Sequence, residues 1–220
     1  MEWDAPITVW EEHLKAYSHA IKVRGESTAS RSELSKLDHE VRNFGDAARR
    51  RDPESITRIE LSKIVSWKLK RGKFRPRLQK LADSNTEKAV TDTSSRAFSY
   101  VKKGDLTKAL KALEELSGIG PATASAVLSI VCPSRCAFMS DEALAAAPAL
   151  NGRVDYTNKA FKLFQEDMIS KSRQLEELSP HKQKWTPVMV ENAIWSSITR
   201  KQLDNTENLG SKPKRRKVGK

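Results

Sequence analysis

No stretch of this chain approaches the run of about 18 apolar residues that a membrane-spanning helix needs. Cysteine is scarce: Cys132 and Cys136 are the only two, which excludes a disulfide framework and favours a reducing compartment. The four histidines, His13, His19, His39 and His181, lie far apart in sequence, so with two thiols they give no zinc spacing, and no metal or other cofactor is expected. There is no Gly-Lys-Thr phosphate loop and no serine on a nucleophile elbow, so nucleotide hydrolysis is not suggested. The first 25 residues carry Asp4, Glu11 and Glu12 among aromatics, unlike a secretory signal. Convincing strand alternation is missing as well. A soluble, intracellular, monomeric protein away from membranes is expected.

What is present is the helical period. Val9, Trp10, Leu14, Tyr17 and Ile21 share one face of a helix starting near Thr8, which a polar stretch at 25–32 ends. Leu34, Leu37, Val41 and Phe44 mark a second helix. Thr57 and Glu60 form a capping-box pair for a third, which Gly72 stops. Helices follow around Leu78 and Leu81, over 86–103, from Tyr156 to about Glu177, and after the Thr186-Pro187 start signal. The fold class is all-α, with a helical domain over 1–203 and, over 204–220, a disordered basic tail poor in apolar residues.

The net charge of +12 is concentrated. Residues 211–220 contribute Lys212, Lys214, Arg215, Arg216, Lys217 and Lys220 without an acid. Residues 67–82 contribute Lys68, Lys70, Arg71, Lys73, Arg75, Arg77 and Lys80, also without an acid. The remainder is close to neutral, so two local features imply a densely negative partner, nucleic acid foremost. Around Trp67 to Arg77 the cations are interleaved with aromatics, which suits a groove for phosphates and unpaired bases. The alternative is a solvated helix end with cations favoured by the macrodipole. Trp67 and Phe74 individually read as core residues. In the tail, Lys212-Pro213-Lys214-Arg215-Arg216-Lys217 has the composition of a nuclear localisation signal for an import receptor. A DNA-brushing tail is the other reading.

The most specific local pattern lies between. Leu106, Ala109, Leu110, Leu113 and Leu116 recur at helical spacing before Gly118-Ile119-Gly120-Pro121, and Ala124, Val127, Leu128 and Val131 recur after it. Two short helices over about 106–131 are thus joined by a turn whose glycines permit positive φ or close approach. Pro121 fits a first helical turn, and the bare N–H groups of a helix start suit a phosphate. This helix-hairpin-helix points to sequence-independent contacts with nucleic-acid backbone through Gly118, Ile119 and Gly120, joined by Lys70, Arg71, Lys73, Arg75 and Arg77.

The pattern L-x-G-I-G-x-x-T-A-x-x-V-L, followed by Ala137-Phe138-Met139 and Asp141, resembles the helix-hairpin-helix DNA glycosylases of the endonuclease III and MutY type. With a one-residue insertion, Asp141 falls where the resemblance places the catalytic carboxylate. Three departures accompany it. Ala122 stands where bifunctional members carry a lysine, which implies a monofunctional enzyme without Schiff-base chemistry. Glu142, Ala143 and Leu144 replace the family's usual residues after the Asp. Two cysteines cannot hold the iron–sulfur cluster of several members.

The resemblance implies a two-lobed helical fold and a nuclear protein that excises a flipped base, Asp141 stabilising the oxocarbenium sugar, with Glu142 a weaker substitute. Two alternatives stand beside it: a non-catalytic helix-hairpin-helix DNA-binding protein, and a DNA-associated adaptor. Asp141 itself also reads as an acidic residue capping a helix start.

Overall fold

The computed structural model describes residues 2–180 and 183–210. Among them there are eleven α-helices, two short 3-10 turns and no strand. In chain order the helices are α1 (Ile7–Lys15), α2 (Tyr17–Glu26), α3 (Leu34–Arg49), α4 (Arg58–Arg71), α5 (Pro76–Asp83), α6 (Glu87–Lys102), α7 (Leu106–Leu113), α8 (Pro121–Val131), α9 (Asp141–Ala146), α10 (Asn158–Leu178) and α11 (Pro187–Gly210). The all-α class therefore stands.

Local chemistry sets most starts. Thr57 accepts from the Glu60 amide at 3.1 Å while the Glu60 carboxylate accepts from the Thr57 amide at 2.8 Å, the reciprocal box expected at α4. Thr86, Asp105, Ser140 and Thr157 cap α6, α7, α9 and α10 through single side-chain bonds.

Two boundaries differ from the sequence reading. The first helix breaks at Ala16, because α1 packs chiefly on α11 whereas α2 turns to meet α3 and α4 as well. At the other end α11 continues to Gly210, past the residue-203 boundary expected for the helical domain. No proline or glycine interrupts the chain between Pro187 and Gly210, so the helix is not broken there. The basic run at 211–220 lies outside the described residues.

Packing gathers the chain into two groups. Helices α1, α2 and α10 pack on α11, with α9 against α11 as well. Helices α3 to α8 form the other group, in which α6 packs on α7 and α4 touches α3, α5, α6 and α8. Trp10, Trp195, Phe98, Phe161 and Phe164 are fully buried. Helix α3 approaches α8 closely at Gly45, where an added Cβ would meet the Ile130 carbonyl oxygen at 2.4 Å. In an exposed helix interior, Gly→Ala stabilises by up to about 1 kcal/mol. Here the sign reverses: Gly45→Ala is expected to cost about 1–3 kcal/mol, read as a lowered urea midpoint. A variant as stable as wild type would show that α3 and α8 do not pack this closely.

Candidate functional site

The site begins with a buried charge. Arg71, in the last turn of α4, is 1% exposed, and its Nη2 donates to both Glu191 oxygens at 2.9 Å. Aromatic rings surround the guanidinium: its carbon lies 4.4 Å from the Trp195 centroid and 5.2 to 5.5 Å from those of Trp67, Phe138 and Tyr17. Burial disfavours the Arg71 charge, but Glu191 and the ring of partners outweigh it and hold the guanidinium above its ordinary value. Burial lifts the Glu191 carboxyl, which Arg71 and Ser140 oppose. Ser140 donates to Glu191 at 2.5 Å and accepts from the Ala143 amide at 3.4 Å. One hydroxyl thus ties the start of α9 to the ion pair.

Asp141 follows as the first residue of α9, facing a cleft of about 210 Å³. Ser140 performs the capping, so the capping and cleft-facing roles fall on different residues. Asp141 Oδ1 accepts a short hydrogen bond from the Tyr156 hydroxyl, and Oδ2 pairs with Lys73 Nζ at 2.8 Å. Burial acts against its ionisation, yet the Lys73 and Tyr156 hydrogen bonds and the charges of Lys73 and Arg75 prevail, holding the carboxyl below its usual range. Burial together with the Asp141 bond pushes the Tyr156 hydroxyl up, so it remains a proton donor.

The hairpin forms another wall. Gly118 has φ +75° and lies against α5, where an added Cβ would come within 2.6 Å of Leu81 Cβ and 3.0 Å of the Ala82 amide nitrogen. Asn85 fastens the turn from the same side, accepting from the Ser117 amide at 2.9 Å and donating to its carbonyl at 3.0 Å. Gly120 is the N-cap of α8, has φ −99°, and leaves open space where a Cβ would sit. Only one of the two glycines therefore needs a positive φ. Ile119 is 4% exposed, so its side chain is core and only its backbone borders the turn.

The basic strip separates by direction. Lys68, Lys73 and Arg75 line the cleft with Gly118, Gly120 and Asp141. Lys70 points elsewhere, to the Ser30 carbonyl at 2.8 Å and to Glu33 at 3.5 Å. Arg71 also borders the cleft, but it is buried and engaged by Glu191. Arg77 is exposed on α5 but is not among the residues lining the cleft. Trp67 is buried as expected, whereas Phe74 is 62% exposed beside Lys73 and Arg75, contrary to its reading as core. Consecutive residues on a helix turn by about 100°, so a continuous run of cations cannot face one groove.

Sequence reasoning did not single out Lys68, Tyr156 or Glu191. Lys68 shares a face of α4 with Gly72 at i,i+4, the one local signal available. Glu191 lies 120 residues from Arg71 and leaves none. Both thiols are free, Cys136 buried and Cys132 half-buried, and burial raises both above the ordinary range. Among the described residues no group of three or more potential ligands could hold a metal. No helix there is long and apolar enough to cross a membrane. In comparisons with known proteins, the chain matches no family model, no curated protein and no solved structure.

Removing one partner of the buried pair leaves a charge stranded among aromatics. Glu191→Gln is expected to destabilise by about 3–5 kcal/mol, and the double change Arg71→Met with Glu191→Met to recover most of that loss. Urea unfolding of the two variants beside wild type measures it. A single variant costing under about 1 kcal/mol would mean that the pair does not hold the cleft together.

Proposed function

We propose that the protein binds DNA by its backbone and excises a base flipped into the cleft, with Asp141 as the carboxylate beside the sugar. The observation that carries this reading is the convergence of three separate sequence features on one cavity: the Gly118–Gly120 turn, the cations Lys73 and Arg75, and Asp141. The N–H groups at the start of α8, with its dipole, suit a phosphate. Lys73 is 73% exposed at its side chain, free to exchange Asp141 for a phosphate when DNA arrives. A carboxylate about 4 Å from an oxocarbenium ion, at an effective dielectric near 20, contributes roughly 4 kcal/mol, about a thousandfold in rate. Tyr156 and the start of α9 keep that carboxylate oriented before the substrate enters.

A second reading, backbone binding without chemistry, draws on the same contacts. In the free protein Asp141 is already neutralised by Lys73, which fits a structural ion pair as well. Asp141→Asn separates the two. Incubation with a panel of damaged duplexes followed by alkali reads base loss. The expected result is about a thousandfold slower excision, with DNA affinity equal or slightly higher and melting unchanged, since Ser140 is the cap. Tight binding with no base loss from any duplex supports the non-catalytic reading.

Binding itself is expected to be steep in salt and indifferent to sequence. Replacing Lys73 or Arg75 by Gln should each lower the log–log salt slope by about one, while Lys70→Gln leaves it unchanged. Gly120→Val is the suitable hairpin probe because its site is open, whereas Gly118→Val disturbs the packing on α5 before any DNA is involved. Equal slopes for all three lysine and arginine variants would count against the cleft as the contact surface. We further propose nuclear import through Lys212, Lys214, Arg215, Arg216 and Lys217: residues 211–220 fused to a large reporter should carry it into the nucleus, and a cytoplasmic reporter rejects the signal.

A further inference from the structure

A second cavity lies behind the Arg71 cage. It measures about 190 Å³ and is lined from α2, α3, α4, α8, α11 and the segment between α8 and α9. Arg71 and Phe138 border both this cavity and the cleft, so they form the wall between the two. Tyr17, Trp67 and Phe138 give it aromatic surface, and its charges cancel, Asp38 and Glu191 against Arg42 and Arg71. Asp38 is filled by the Tyr17 hydroxyl, the Trp67 indole and Arg42, and Glu191 by Arg71 and Ser140. One polar group in this wall is not answered. Asn192 is 6% exposed and lines the cavity, yet among the described residues its side-chain amide makes no hydrogen bond. Burying an amide without a partner is costly, so the group calls for a reason. Arg42 supplies further unspent donors: half-exposed, it lies 4.8 Å over the Tyr17 ring and gives only its Nε to Asp38.

We propose that this cavity binds a small, uncharged, single-ring lactam or imide, for which uracil is the simplest probe. Size points to one ring, since an apolar cavity of about 150 Å³ is enough to hold benzene. Cancelled charges point to a neutral molecule, because a buried ion would find no free counter-ion. The edge is set by Asn192. A carboxamide presents a carbonyl and an N–H side by side in one plane, and it pairs with a ring edge that carries the same two groups in reverse. Asn192 Oδ1 accepts from the ring N–H, and its Nδ2 donates to the adjoining ring carbonyl. The free Nη groups of Arg42 are donors for a second carbonyl, which an imide has. The flat faces of the ring meet the aromatic walls. The inference does not rest on the proposed function, since Asp141 and the hairpin lie on the other side of the Arg71 wall.

The test uses the full chain. Titration calorimetry with uracil should give one site with a Kd of about 1 mM or tighter, and NMR should show shifts at the Trp67 indole N–H and the Asn192 side-chain amide. Two analogues should each bind at least about tenfold more weakly: 1,3-dimethyluracil, which has no ring N–H, and orotate, which adds a carboxylate. Asn192→Leu should weaken uracil by about tenfold or more while its urea midpoint holds or rises, because an unanswered polar group gives way to an apolar one. Asp141→Asn should leave uracil affinity within about twofold of wild type. Uracil binding that survives Asn192→Leu overturns the inference, as does either analogue bound as tightly as uracil. The analogue series on wild type decides the matter even if the Asn192 variant fails to fold. Shifts confined to Gly118, Gly120 and Tyr156 place the ring in the cleft and overturn it too. Absence of any uracil binding overturns the inference and leaves the proposed function untouched.

Discussion

A guanidinium sealed among four aromatic rings is stable only if its charge is answered nearby, and in this chain a single carboxylate does so. Arg71 and Glu191 join α4 to α11, and Ser140 links the same carboxylate to the first turn of α9. Each contact has a cost taken alone, because ions lose hydration when buried. Together they fix three elements whose surfaces make the cleft. A hydrophobic pair of the same volume would pack, but would not aim the start of α9 through a hydrogen bond. The direction in which Asp141 leaves the backbone therefore follows from a contact that Asp141 does not make.

A second polar cluster braces the first. Asp38 accepts from the Tyr17 hydroxyl at 2.7 Å, from the Trp67 indole at 2.9 Å and from Arg42 at 2.9 Å. Tyr17 and Trp67 are two of the rings around Arg71. Their orientation, and with it the aromatic cage around Arg71, is set by hydrogen bonds at their far ends. The cleft is accordingly held by directional bonds at its base and carries its exchangeable cations, Lys73 and Arg75, at its mouth.

Much of the fold was legible because caps and periodicity are local. Thr57 with Glu60, Thr86, and Thr186 with Pro187 each begin a helix near where the sequence places it. The Gly118–Gly120 turn and Asp141 were legible for the same reason, each being a short pattern, and they do border one cavity. The basic strip was not, because charge counted along a chain carries no direction. Arg71 counted there as a surface cation, and what buried it was a carboxylate 120 residues away together with rings from four separate segments. Phe74 failed in the opposite sense: hydrophobicity predicts burial, but the residue follows the end of α4, where no helix covers it. The extent of α11 was missed because a loss of apolar residues does not by itself end a helix, whose backbone hydrogen bonds lie within the element.

The separation of Arg71 from Glu191 along the chain also orders events during synthesis. Helices α3 to α8 are complete long before α11 emerges, and their contacts are largely with one another. Until residue 191 is translated, Arg71 has no carboxylate, and the rings of Phe138 and Trp195 cannot close around it. A nascent chain thus holds a hairpin on its supporting helix but no finished cavity. Emergence of α11 supplies the carboxylate for Arg71, the partner of Ser140 at the start of α9 and the surface on which α1 packs. Translation products truncated before Glu191 carry the hairpin and the whole basic strip but lack the carboxylate that answers Arg71.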